Sequence, residues 1–198
     1  VWARRFGTPG RRRVMSRGAP YKSIRAQIEV GDVFTCDNRK SSFVGWAIGF
    51  FSGNRTHAAI VNEATDDNDE GRVEVAESVG KKSVDTNYLS EEYGEVHGDI
   101  YWHPMKCSLE QQLGIKKEIK RQRMKKKKYD IKALLWAITG YISLDAAKFI
   151  CSEFVWWVLV WVGKFDHHTH KGKKIAPSPT RLEIWIRSKG LLVDMTKR

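Results

Sequence analysis

The stretch "FVWWVLVWV", Phe154 to Val162, constrains the fold more than any other part of the chain. It holds no polar side chain, so a helix built from it has no face to offer water. Such a helix must be enclosed by other elements. The run is far shorter than the roughly 20 residues that a membrane-spanning helix needs, and no other stretch approaches that length. It therefore reads as the buried central helix of a globular domain. Cys151, Ser152 and Glu153 stand at its head, and Gly163 punctuates its end.

Upstream the period changes. "YKSIRAQIEVGDVFTCD" opens with a short amphipathic lead-in and turns through Gly31-Asp32 into a strand at Val33–Cys36. "SSFVGWAIGFFSG" has apolar residues near helical spacing and stops at Gly53. "HAAIVNEA" is an apolar strand, "TDDNDEG" a turn, and "RVEVAES" the alternating partner strand of a hairpin. "KSVDTNYL" and "DIYWHP" are two further strands, the second closed by Pro104. "SLEQQLGIKKEIKRQRMKKKKYD" is a helix with a heavily basic surface, with Leu109, Leu113 and Ile119 expected to face inward and Gly114 its weak point. "IKALLWAITGYI" reads as a second apolar helical segment, "KFDHHTHKGKKIAPSP" as a loop, and "SPTRLEIWIRS" as a short helix or strand. Strands followed by helices predict an α+β domain, with an antiparallel sheet packed against the buried helix that carries the cysteine.

A chain of 198 residues suits one domain with a tail, and can bury a core without disulfides or a metal. Residues 1–20 are arginine- and glycine-rich without periodicity and are expected to form a flexible basic arm, with the folded domain at 21–198. Cys36, Cys107 and Cys151 are odd in number and widely spaced, which argues against a disulfide framework and favours free thiols. Unpaired thiols fit a reducing, cytoplasmic setting, and no apolar h-region of a signal peptide is read near the start. The net charge of +12 favours anionic surroundings: nucleic acid, a phospholipid face or an acidic polymer.

Cys151 is the first candidate for chemistry. At the start of a helix, the positive end of the dipole would stabilise a thiolate, the nucleophile that acyl transfer needs. On position alone a small buried hydrophobe is the plainer reading. A nucleophilic thiol needs a proton acceptor. Of the six histidines, His57 alone opens an apolar strand, where it could line a cleft; an ordinary strand-end histidine bonded to a carbonyl is the plain alternative. An imidazole in that role is oriented by an acceptor on its other nitrogen. Glu77, at the end of "RVEVAES", would fall near His57 across the hairpin, with Glu74 taking its place if the register slips. Glu153, in the first helical turn, fits a capping carboxylate better than a catalytic acid.

Taken together, G-D-V in "VGDVF", T-H-A-A-I, "VEVAES" with a following glycine, Tyr129-Asp130, and finally F-I-C-S-E-F-V resemble the circularly permuted papain-like hydrolases, the YiiX-like branch of the NlpC superfamily. The resemblance runs from about Val30 to Gly163. In ordinary papain-like enzymes the cysteine precedes the histidine; the order His57, Glu77, Cys151 is the one the permuted branch implies. The resemblance implies Cys151 as nucleophile, His57 as general base and then acid, and Glu77 as its orienting carboxylate. It implies an oxyanion hole that includes the Cys151 backbone N–H, and Tyr129 bordering the substrate pocket. Asp32 matches a position for which a structural turn role is expected. The expected substrate is an amide or peptide, with a cell-wall peptide first and lipid or isopeptide amides after it. No cofactor or metal is implied.

Other clusters are weaker. "FDHHTH" places three histidines and an aspartate in one loop, but no second ligand group has suitable spacing for a genuine metal site. "RRFGTPGRRR" and "KKEIKRQRMKKKK" could hold an anionic polymer or membrane surface electrostatically, and carry little aromatic interleaving for stacking bases. Two rival functions remain at this stage. One is a non-catalytic basic binding module for nucleic acid or an anionic surface. The other is a thiol-dependent acyltransferase.

Overall fold

In a computed structural model, the described residues are 25–37, 56–65, 73–79, 83–89, 100–125, 128–129, 141–143, 148–166, 168–170, 173–188 and 193–194. The expected basic arm, the helix of "SSFVGWAIGFFSG" and most of the acidic turn "TDDNDEG" lie outside them.

After a 3-10 turn at Arg25–Gln27, the strands of the main sheet are β1 (Val33–Cys36), β2 (His57–Ala64), β3 (Val73–Val79), β4 (Ser83–Tyr88) and β5 (Ile100–His103). Then come helix α1 (Leu109–Lys125), β6 (Lys128–Tyr129), β7 (Tyr141–Ser143), β8 (Lys148–Phe149) and helix α2 (Cys151–Trp161). The chain continues through β9 (His168–His170), β10 (Lys173–Pro177), helix α3 (Pro179–Ser188) and β11 (Val193–Asp194). The main sheet has six strands in the order β11-β5-β1-β2-β3-β4, and its β1 to β5 and β11 pairings are antiparallel. Smaller sheets join β7-β10-β9 and β6-β8. The domain is α+β.

Alternation along the central strands splits the core in two. Val33, Ala58, Ile60 and Ala76 face a cluster built with Phe154, Val155, Trp156, Val158 and Leu159 of α2, Ile115 and Ile119 of α1, and Leu182 and Ile186 of α3. Phe34, Cys36, Ala59, Val61, Val75 and Trp102 pack on the other face. The apolar run of α2 is thus enclosed over its first two turns, where Phe154, Val155, Trp156, Val158 and Leu159 are buried, while Trp161 near its end is 55% exposed. The Trp156 ring lies 5.0 Å from Phe165 and 4.8 Å from Trp185, centroid to centroid, so α2 is gripped from two segments that follow it.

The corner before β1 explains the Gly-Asp pair. Gly31 has φ +95°, and a Cβ there would lie 2.6 Å from Ile115 Cδ1 and 2.7 Å from Cys107 Sγ, so only glycine fits. The buried Asp32 carboxylate accepts from Glu29 N (3.0 Å), Trp102 Nε1 (2.8 Å) and Met105 N (2.8 Å), tying the corner before β1 to the end of β5 and the residues that follow it. Burial nonetheless pushes the Asp32 carboxyl above its usual range; the donors only partly offset it.

Three expectations are corrected. Leu109 and Leu113 do not face inward: they are 73% and 60% exposed, while Ile115, Glu118, Ile119 and Gln122 form the buried face of α1. Polar residues can take that face because Glu118 is supplied with donors. Its carboxylate accepts from Arg121 Nε (2.7 Å) and Nη2 (2.8 Å), from Trp157 Nε1 of α2 (2.8 Å) and from Gln122. Similarly, "KFDHHTHKGKKIAPSP" is not a loop throughout, because β9 and β10 pair within it and β10 also pairs with β7. That pairing also takes Tyr141 and Ile142 out of the expected second apolar helix; the rest of that segment, 131–140, lies outside the described residues.

Candidate functional site

α2 begins at Cys151, with Ile150 as its extended N-cap residue (φ −95°, ψ 169°). The first helical bond runs from Phe154 N to Ile150 O, so the N–H groups of Cys151 and Ser152 precede the intrahelical ladder. The Ile150 N–H donates to Glu153 Oε2 at 3.3 Å, so the expected capping carboxylate holds the helix start. These N–H groups and the helix dipole make the head of α2 a place where negative charge is stabilised.

β2 and β3 bring the other two residues to this point. β2 begins at His57, and a bulge between Val61 and Glu63 sets the register of the hairpin so that Ile60 faces Ala76. Glu77 therefore reaches back to the mouth of β2, where Glu77 Oε2 is bonded to His57 Nε2. Glu74 sits one bulge away, opposite Glu63, and accepts from Asn62 instead. The register thus selects Glu77 and leaves Glu74 outside the site.

Cys151, His57 and Glu77 are 3%, 3% and 2% exposed. Burial alone would lower the proton affinity of His57. The charge on Cys151, the charge on Glu77 and hydrogen bonds to both reverse this and push its pKa up to about 10. With Nε2 turned to Glu77, Nδ1 is the ring nitrogen left for the sulfur. Glu77 is the complement: burial raises its pKa, but the His57 charge and the hydrogen bonds from His57 and Asn87 outweigh that and hold it below the usual carboxylate range.

Asn87 was not evident from the sequence. Its Nδ2 donates to Glu77 Oε1 at 2.9 Å, so both oxygens of the carboxylate are engaged, one by imidazole and one by amide. Asn87 lies on β4, opposite Val75, and only the β3–β4 register reveals its place. The backbone of Tyr129 is also near the site. It pairs with Phe149, two residues before Cys151, in the parallel β6–β8 ladder. The Tyr129 side chain lies outside the description. Ser152 is fully buried next to the thiol, and its Oγ has no hydrogen-bond partner among the described residues.

No protein-family model matches the chain, and no curated protein matches it. Among solved structures, the chain is similar to that of metalloprotein YiiX from Escherichia coli O157:H7, with a TM-score of 0.63 and 18% sequence identity, covering 87% of this chain and 98% of that one. A likeness spanning nearly the whole of both chains, at so low an identity, speaks for architecture alone: this chain has a YiiX-like fold.

Proposed function

We propose that this protein is a thiol hydrolase of circularly permuted papain-like type that cleaves an amide or peptide bond. The observation that carries the proposal is the buried relay Asn87–Glu77–His57–Cys151 ending at the first residue of a helix. The chain order His57, Glu77, Cys151 supports the permuted arrangement.

In the proposed reaction, His57 holds the proton taken from Cys151, and Glu77 stabilises the imidazolium. The sulfur attacks the substrate carbonyl carbon, a C–S bond forms, and the carbonyl electrons move to oxygen. The Cys151 and Ser152 N–H groups at the head of α2 are placed to receive that oxyanion. Collapse breaks the C–N bond, and the amine leaves with the proton from His57. Water then gives a proton to His57 and attacks the thioester, releasing the acid and returning the thiol. Another nucleophile in place of water would make the same site an acyltransferase. A cell-wall peptide is the first substrate to test.

YiiX is described as a metalloprotein. The residues of this site do not fit a metal centre. His57 already has Nε2 engaged by Glu77, and a metal there would have to displace that bond. Among the described residues, no group of three or more His, Cys, Asp or Glu side chains is arranged to hold a metal ion.

Thiol labelling tests the reading. Iodoacetamide at pH 7, followed by peptide mass spectrometry, is expected to modify Cys151 well before Cys36 or Cys107. Burial pushes the Cys107 thiol up to about 11, with Lys164 only partly opposing. His57→Ala should remove the advantage of Cys151. Equal, slow labelling of all three cysteines would sink the proposal. With an amide substrate in hand, Cys151→Ala is expected to lower kcat by about a thousand-fold or more.

A further inference from the structure

The outward face of α1 carries a pattern that the chemistry at Cys151 does not use. Leu109, Leu113 and Met124 are 73%, 60% and 76% exposed. At 3.6 residues per turn they fall along one side of the helix, opposite Ile115 and Ile119. Lys117 and Lys120 lie on that same side between them and are exposed, and Arg123 and Lys125 are exposed beside it. Of the two acidic residues of α1, Glu118 is buried against Arg121, which leaves Glu110 alone at the first turn. At the border stands Trp161 of α2, 55% exposed, with the Arg121 guanidinium 4.6 Å from its ring.

One exposed leucine on a protein surface needs no explanation. Three long apolar side chains in line, with lysines among them and a tryptophan at the border, combine the two attractions that hold a surface helix to anionic lipid: buried apolar area and charge. The apolar tips sink among the acyl chains while the lysines reach phosphate. A dissolved polyanion would engage the lysines but gain nothing from Leu109, Leu113 or Met124. No helix among the described residues is long and apolar enough to cross a membrane, so the contact lies along the surface. The position is also suggestive: α1 leads within a few residues into β6, whose Lys128 and Tyr129 pair with Lys148 and Phe149 just ahead of Cys151.

We infer that the outward face of α1 docks this protein on an anionic phospholipid surface. The docking is independent of whether Cys151 reacts, and binding is measured without substrate. Full-length protein is mixed with sedimenting vesicles of phosphatidylcholine alone, or with about one-third phosphatidylglycerol. Binding is expected to the anionic vesicles and to weaken with salt. Lys117→Ser with Lys120→Ser should weaken partitioning by about five-fold per residue removed. Leu113→Ser with Met124→Ser should weaken it by at least about ten-fold. Circular dichroism melts check that these surface variants remain folded. No binding to either vesicle would overturn the inference. So would binding that persists unchanged in the Leu113→Ser, Met124→Ser protein, because the surface would then be a site for polyanions.

Discussion

His57 meets two negative partners at once, and the consequence can be read from its own titration. Its pKa is raised because the charges of Cys151 and Glu77 outweigh the burial that would otherwise lower it. Cys151→Ser removes one of those charges and keeps the shape of the side chain. The imidazole resonances of His57 should then titrate at lower pH than in the unaltered protein, as followed by two-dimensional 15N NMR. An unchanged midpoint would mean that the sulfur does not hold the proton on His57. Asn87 acts one step further back. Asn87→Ala withdraws a hydrogen bond from a buried carboxylate, a change expected to cost about 1.5–3 kcal/mol in stability. It should also raise the pKa of Glu77 and so weaken its hold on His57. A denaturation midpoint within error of the wild type would count against this role.

At the scale of elements, α2 both walls the core and carries Cys151, so its packing fixes where the thiol lies. Phe154, fully buried one turn after Cys151, anchors that turn in the core. Phe154→Ala should cost about 3–5 kcal/mol by urea denaturation, through lost burial and the cavity left behind. A loss under 1 kcal/mol would mean that the head of α2 is not held by the core. The central elements were readable because one pattern allowed one answer. The all-apolar run from Phe154 had to be enclosed, Gly31-Asp32 had to turn, and the apolar β2 and alternating β3 flanked an acidic turn. α1 misled because two stripes compete on it. Leu109 and Leu113 satisfy helical spacing as well as Ile115 and Ile119 do. The choice was made by Glu118, whose partner Arg121 lies one turn along the same helix but whose donor Trp157 becomes visible only when the two helices meet. β9 and β10 lack apolar alternation, so their strands follow from pairing with β7 and with each other. Cys151, His57 and Glu77 were nameable from sequence order and resemblance. Asn87 was not, because a register between two strands leaves no mark in either strand alone.

For the molecule as a whole, the relay gives stability a pH dependence with a definite sign. Glu77 is held below its ordinary value of 4.5, so its contribution is present above that pH and is lost as pH falls through its lower folded value. Glu118 acts in the same direction, despite its burial, because Arg121, Gln122 and Trp157 hold its charged form. His57 is raised from 6.5 to about 10, so its contribution is complete below 6.5 and is lost as pH climbs toward 10. All three are therefore in full effect between 4.5 and 6.5. Asp32 opposes the two glutamates, since its raised pKa, like that of His57, favours the folded state as pH falls. The acid limb also contains a global effect. A chain of net charge +12 becomes more positive as its carboxylates protonate, and self-repulsion then destabilises any compact state. A falling curve is therefore not diagnostic by itself, but the difference between two proteins is. Glu77→Gln differs from the parent by one charge and leaves that background nearly unchanged. Urea denaturation of both proteins from pH 3 to 6.5 should show a wide gap at pH 6 that closes as pH drops below 4.5. Two curves that run parallel across the range would show that Glu77 is not held as an anion by His57 and Asn87.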